Sequence, residues 1–222
     1  MERGNTKQEI LETALDLFSR QGYEATSIAQ IAEAVGIRKA SMYSHFASKQ
    51  EILDALAQTI FVQYEKRSIF AQANWDDPAF TAKQRDITPE AAAQSMLGQV
   101  RYILHDPMIS KARRMLTIEQ FQNPVLKALQ TKQNYTDVMR YFTGLIRFLA
   151  RQGKLAEDDP ELLAAQLCLP ISAWIALCDR EPDREEEMLA LMERHIRHFF
   201  RVYQPRPYAP ILHYFKEGNE SP

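Results

Sequence analysis

The sequence predicts an all-α chain, and three observations carry that prediction. Glycine is scarce, at 7 of 222 residues. Apolar residues recur at three- and four-residue spacing through long segments. No run of alternating β-branched residues marks a strand. Within this class the chain divides into a small N-terminal three-helix unit, residues 1–50, and a larger helical region, residues 51–222. The length allows such a pairing, and each part can bury a core of its own.

The small unit is organised around Thr26 to Lys49, TSIAQIAEAVGIRKASMYSHFASK. Ahead of it, Thr6 and Glu9 have capping-box spacing, and Ile10, Leu11, Ala14, Leu15, Leu17 and Phe18 form the buried stripe of a first helix that Gly22 ends. Ser27 with Gln30 is a second capping box (Thr26 is the alternative cap), and Ile28, Ile31, Ala32 and Val35 give the next helix its apolar face. Gly36 stands where that helix stops, because glycine accepts the left-handed conformation without a Cβ penalty. After Ile37 a short helix, roughly Lys39 to His45, buries Met42 and leads to Phe46. Ser48 with Glu51 opens the fourth helix, whose stripe is Ile52, Leu53, Leu56, Ile60 and Phe61. Two short helices about a tight turn form a helix-turn-helix, in which the second helix is offered to the DNA major groove.

The larger region carries no motif as sharp. Residues 71–87 are polar and read as a loop or mobile connection. Thr88–Pro89 starts a helix that runs to His105 and stops at Asp106–Pro107; another spans Met108 to Phe121, with Arg113, Arg114 and Glu119 among apolar residues. Asn123–Pro124 opens a single long helix to Gly153, burying Leu126, Leu129, Val138, Phe142, Leu145 and Leu149. Asp159–Pro160–Glu161 caps a strongly apolar helix containing Trp174, kinked at Pro170. The last helix, Arg184 to Tyr203, has the stripe Met188, Leu191, Met192, His195, Ile196, Phe199 and Tyr203. Two adjacent helices of this kind, one too apolar for a single neighbour to cover, suggest a subunit interface. The tail from Gln204 is rich in proline and aromatic residues and has no assigned role.

Composition narrows the function. A net charge of −2 excludes a histone-like or ribosomal protein, so any contact with nucleic acid is confined to a patch. Between Ala34 and Gln50 the charged residues are Arg38, Lys39 and Lys49, uninterrupted by Asp or Glu, which is the kind of patch a phosphate backbone rewards through counterion release. Phosphate contacts are assigned to Thr26 or Ser27, Tyr43, His45 and Lys49; base-edge contacts to Arg38, Lys39, Ala40, Ser41 and Ser44. Arg38 is the candidate for a bidentate guanine contact. The plainer readings are core packing for the Tyr43 ring and a solvated helix start for Lys49. A monomer covers too few base pairs, so a dimer on a palindrome is expected.

Residues 7 to 60 resemble the N-terminal domain of the tetracycline-repressor (TetR) family of bacterial transcriptional regulators. The resemblance rests on ILETALDLFSRQGYEATSIAQIAEAVGI, on Tyr43–Ser44–His45–Phe46 and on Ser48–Lys49, about a quarter of the chain. Arg38 departs from the Ser or Thr cap usual in the family, and Ala40 stands where many members have Gly. The resemblance implies phosphate contacts at Tyr43 and Lys49. It implies a homodimer through the helices at about 160–178 and 184–203, paired in a four-helix bundle. It also implies an operator of double-stranded DNA, and a small-molecule effector in a pocket for which Arg101, Tyr102, His105, Met115, Phe121, Tyr141 and Trp174 are candidates by position. Repression is the commoner outcome in the family.

Other classes fare worse. No Gly-rich phosphate loop, GxSxG elbow or nucleophile with an evident base is present, so no catalytic residue and no cofactor is assigned. His195 and His198 form an HxxH, but no Cys or carboxylate cluster completes a metal site. Leu162 to Cys178 is the best membrane candidate; it contains Gln166, Pro170 and Ser172, falls short of the roughly 20 residues a span needs, and reads as a buried helix. Cys168 and Cys178 lie on that helix ~15 Å apart, too far for a disulfide. They read as inert buried thiols, with redox sensing or an intersubunit disulfide as the alternative. The polar N-terminus lacks the apolar core of a signal peptide, and the expected location is cytoplasmic. The expected function is ligand-responsive transcriptional regulation. The alternatives are an effector-independent architectural DNA-binding protein, and a helical enzyme or interaction module with a vestigial N-terminal domain.

Overall fold

The computed structural model describes residues 3–205, with side chains from Thr6 onward, and its regular elements are all helical. Twelve α-helices follow one another: α1 (Arg3–Gln21), α2 (Ile28–Val35), α3 (Lys39–Met42), α4 (Lys49–Arg67), α5 (Ile69–Gln72), α6 (Pro78–Lys83), α7 (Pro89–His105), α8 (Pro107–Glu119), α9 (Pro124–Thr131), α10 (Asp137–Arg151), α11 (Pro160–Arg180) and α12 (Glu185–Val202). The tail from residue 206, to which no role was assigned, lies outside the described residues.

Two buried clusters hold the chain together. The first gathers Ile10, Phe18, Ile31, Met42, Ile52 and Leu56 from α1–α4 with Phe46 of the α3–α4 link, and closes over them with Met115 and Leu116 of α8 and Leu126 of α9. The second packs α7, α10, α11 and α12 through Leu97, Phe142, Leu145, Leu167, Met192 and Phe199. The small N-terminal unit therefore completes its core with helices from the larger region.

Most helices begin at the caps the sequence offered. Asp106, Asn123 and Asp159 each accept from two backbone N–H groups of α8, α9 and α11. Proline follows each of them at the first helical position, where its missing N–H costs nothing. Thr6 does not cap α1. A cap needs extended backbone, and Arg3–Asn5 are already helical.

The long helix expected from Pro124 to Gly153 is divided. A single π-turn, Lys132–Thr136, separates α9 from α10. The apolar pattern accounts for this. Leu129 and Val138 are nine residues apart, which on an α-helix leaves them roughly half a turn out of phase. Leu129 belongs to the first cluster and Val138 to the second, so each segment must face its own core. Asp137 anchors the turn: it accepts from Lys132 Nζ at 2.8 Å and from the Tyr64 hydroxyl at 3.1 Å, and pairs with Arg140 at 3.2 Å. The Lys132–Asp137 spacing of five matches the π-turn that it spans.

Residues 71–87, expected as a loop, fold over α10 instead. Asp77 caps α6, and Trp75 inserts among Phe80, Tyr141 and Phe148 at centroid distances of 5.1–5.6 Å. Local polarity concealed this, because one tryptophan carries the packing. Its seat is Gly144 of α10, where an added Cβ would come within 2.1 Å of Trp75 Cδ1. Gly144→Ala should therefore expel the indole and lower stability by about 1–3 kcal/mol, read by urea unfolding and a shift in tryptophan emission. Unchanged stability and emission would mean that Trp75 is not seated there.

Candidate nucleic-acid interface and internal cavity

The turn between α2 and α3 is set by local chemistry. The Ser27–Gln30 capping box is closed in both directions: Ser27 N–H donates to Gln30 Oε1 at 2.8 Å, and Gln30 N–H to Ser27 Oγ at 3.2 Å. Gly36 ends α2 at φ +79°, and Ile37 N–H returns to Ala32 O at 2.9 Å. A Cβ at Gly36 would meet nothing within 4 Å, so the glycine is required by backbone conformation rather than by space. Helix α3 is shorter than Lys39 to His45. After Met42 the chain tightens through Ser44 N–H to Ser41 O and His45 N–H to Met42 O. Arg38 occupies the cap position with no side-chain bond, leaving its guanidinium outside.

Burial sorts the candidate DNA contacts. Met42 and Phe46 point into the first cluster, while Arg38, Lys39, Ala40, Ser41 and Ser44 are exposed with Tyr43, which is 51% exposed. His45 is half-buried, and Ser27 is exposed at the start of α2. Thr26 is turned inward at 1% exposure, its hydroxyl donating to Gly22 O at 2.8 Å and accepting from Gln21 Nε2 at 3.0 Å. Lys49 Nζ lies 2.7 Å from Tyr23 O and 4.0 Å from the centroid of the Tyr23 ring. One ammonium thus clasps the link between α1 and α2, with donors to spare.

Helix α8 reaches that link from the other side. Its last residue, Glu119, is buried and accepts the Tyr23 N–H at 2.8 Å. Lys111 pairs with Asp16 of α1 at 2.7 Å. Arg113 of the same helix bonds instead to the larger region: Nε and Nη2 each donate to Asp179 of α11 at 2.7 Å, and Nη1 to Ile103 O of α7 at 2.6 Å. The sequence marked Arg113, Arg114 and Glu119 as charges among apolar neighbours; their side-chain and Tyr23 partners are 65 or more residues away and had no local signal.

Behind Arg113 lies a two-lobed cavity. A wide lobe of ≈ 620 Å³ opens among α7, α8, α10 and α11, and a narrow one of ≈ 120 Å³ reaches towards α4. Phe70, Gln99, Ile103, Arg113, Gln133 and Asn134 line both. The π-turn contributes two of these, Gln133 and Asn134. A volume of this size suits a small molecule.

Comparison with known proteins assigns the architecture. A family model for the N-terminal domain of bacterial regulatory proteins of the tetR family matches residues 10–56, and one for the C-terminal domain of AefR-like transcriptional repressors matches residues 94–205. The chain belongs to the TetR family. Among its relatives is IcaR of Staphylococcus aureus, a negative transcriptional regulator of a biofilm operon, 28% identical over 150 residues that cover 56% of this chain and 81% of IcaR. A solved TetR-family regulator from Mesorhizobium loti superposes with a TM-score of 0.61 at 17% identity, covering 92% of this chain and 100% of its own. A regulator from Saccharomonospora viridis, solved with choline, gives 0.62 at 21%, covering 90% and 97%. These two likenesses concern the fold.

As a TetR-family transcriptional regulator, the chain places the expected pocket residues unevenly. Tyr102 lines the narrow lobe and Tyr141 the wide one. Met115 is fully buried in the first cluster, Phe121 is 84% exposed, and Arg101 is on the surface. His105 pairs with Glu185 at 2.7 Å, and Trp174 packs edge-on against His195. Position along a helix does not fix which side of it faces a void, so Gln99, Gln133 and Asn134 were missed. His195 reaches Leu167 O at 3.0 Å, whereas His198 accepts from Arg201 on the surface. Cys168 and Cys178 are free and buried, and burial pushes the Cys168 thiol up to about 11. Replacing Glu119 by Leu should strand the Tyr23 N–H and cost about 1–3 kcal/mol, with faster amide exchange at Tyr23; Gln, which keeps an acceptor, should cost less. Equal effects of the two substitutions would show that the hydrogen bond is not what holds the link.

Proposed function

We propose that this transcriptional regulator binds a palindromic operator as a homodimer and releases it when a small molecule fills the cavity. The observation that carries this reading is the position of α8. It completes the core beneath the helix-turn-helix, holds the α1–α2 link through Glu119, and walls the cavity through Arg113. A ligand that fits one placement of α8 better than another shifts the head with it, by no more than its differential affinity. Repression is the favoured outcome, as in the negative regulator IcaR.

On this reading residues 1–50 read DNA and residues 51–222 bind effector and partner. Arg38, Lys39, Ala40, Ser41 and Ser44 face base edges, while Ser27, Tyr43, His45 and Lys49 hold phosphates. The work is done in the cytoplasm, where bacterial DNA is. Lys49→Ala should weaken binding about equally on all sequences and lower the salt slope by about 1, whereas Arg38→Ala should relax preference at one base pair by about 1–3 kcal/mol. Titrations on operator and random duplex at two salt concentrations test both, with a melting curve to separate the loss of the Tyr23 clasp. Unchanged operator affinity in both variants would sink this docking of α3.

The dimer is proposed through α11 and α12. Among the described residues α11 is the one helix long and apolar enough to cross a membrane, yet only 33% of its most apolar stretch is buried within the chain. Leu162 and Leu169 lie exposed along it two turns apart, with Ala165 half-covered between them. A soluble regulator hides such a stripe against a second copy, in a helix-to-helix seam. Leu169→Glu should yield a 25.7 kDa monomer in sedimentation and abolish tight operator binding. A variant that remained dimeric would move the interface elsewhere.

A further inference from the structure

We infer that the cavity selects an uncharged, largely apolar molecule bearing an amide or alcohol group, and that Gln99 and Gln133 read that group. This inference rests on the effector reading above and assigns its chemical class. The walls of the wide lobe are mainly apolar, with Phe70, Met96, Val100, Val138, Phe142 and Ile171 among them. Its two charged residues, Arg113 and Asp179, are already committed to each other. Their side chains are 9% and 15% exposed. All three guanidinium nitrogens of Arg113 are engaged, two by Asp179 and one by Ile103 O, and Arg114 approaches Asp179 at 3.7 Å from the other side.

An anionic ligand would have to draw Arg113 away and strand a carboxylate in a low-dielectric pocket. A cationic one would have to draw Asp179 from two arginines. Both exchanges leave a buried charge without its partner, which is expensive. In the narrow lobe Asp106 is likewise occupied, accepting from Met108 and Ile109 N–H. Arg67 stands at the exposed end of α4, where water screens it.

Polar groups without charge remain open. Gln133 Nε2 is buried and has no hydrogen-bond partner among the described residues. A buried amide left unmade is costly, and a ligand acceptor would relieve it. The π-turn is what brings this side chain to the wall, since Gln133 lies within Lys132–Thr136. Gln99 of α7 lines both lobes beside it. Tyr141 also lines the wide lobe and carries a neutral hydroxyl that can donate or accept. A primary amide or an alcohol, which both donates and accepts, satisfies a carboxamide in either of its orientations.

The test uses three probes on one ring system, 2-naphthamide, 2-naphthoate and 2-naphthylmethylammonium, titrated calorimetrically into the full chain. The amide should bind at least about tenfold more tightly than either ion, a gap of about 1.4 kcal/mol. Gln133→Leu and Gln99→Leu should each reduce that preference severalfold while leaving 2-methylnaphthalene binding unchanged, and Arg67→Ala should leave the preference in place. An ion bound as tightly as the amide, no binding by any probe, or leucine variants indistinguishable from the parent protein would each overturn the inference. Operator release is followed in parallel. Tight amide binding with the operator still held would support the ligand class and sink the effector reading. Release by an ion bound more tightly than the amide would do the reverse.

Discussion

The paired carboxylate and guanidinium of Asp179 and Arg113 fix α8 to α11 deep inside the chain, and much else is arranged around that bond. Breaking such a pair by removing one partner costs about 3–5 kcal/mol, because the other charge stays buried. Over any motion that is thermally cheap, the two helices therefore travel together. At its other end α8 is held to the head by Glu119, whose carboxylate is sealed beneath the Gly22 turn; a Cβ on that glycine would come within 3.2 Å of its Oε1. Between these fixed points Met115 and Leu116 fill the core of the head with no exposed surface. The helix is a strut bonded at both ends, so displacement at one end is delivered to the other rather than absorbed.

How legible all this was in the sequence depends on the range of the interactions. The head could be read because its determinants are local: the Ser27–Gln30 box, the left-handed Gly36, and apolar residues three and four apart that reappear as one buried cluster. Cap-and-proline pairs announced α7, α9 and α11 for the same reason, whereas Asp106–Pro107, read as the stop of the preceding helix, also caps α8. Thr6 failed because capping-box spacing says nothing about whether the preceding residues are already helical. Trp75 was hidden in a polar stretch, and its seat depended on a glycine 69 positions later in sequence. The cavity was the least legible part. A void is defined by what several helices leave unfilled, and only Tyr102 and Tyr141 of the seven residues nominated by position border it.

The π-turn brings these threads together. Leu129 and Val138 demand different faces of what composition reads as one helix, and the chain meets both demands by widening a single turn. The widened turn costs helical regularity, which Asp137 offsets by holding Lys132, Tyr64 and Arg140. In exchange it turns Gln133 and Asn134 onto the cavity wall. A packing conflict between two cores thus becomes the source of the polar groups at the place where they meet, and an unbroken α-helix would not present them there.

The same helix, α11, serves three surfaces in this reading. Ile171 and Ile175 border the cavity, Asp179 grips α8, and Leu162 and Leu169 carry the outward stripe proposed to meet a second copy. Signal size is then bounded by the contacts available. Coupling energies between sites are typically about 1–3 kcal/mol, enough to change operator affinity several- to a hundredfold. A single new hydrogen bond with a buried amide, together with apolar surface covered in the wide lobe, is of that order. No rupture of the Arg113–Asp179 pair is needed, and none would be tolerated at that scale. On the proposed reading, the ligand acts by moving α8 and α11 as a unit, and the helix-turn-helix follows because Glu119 ties α8 to the α1–α2 link.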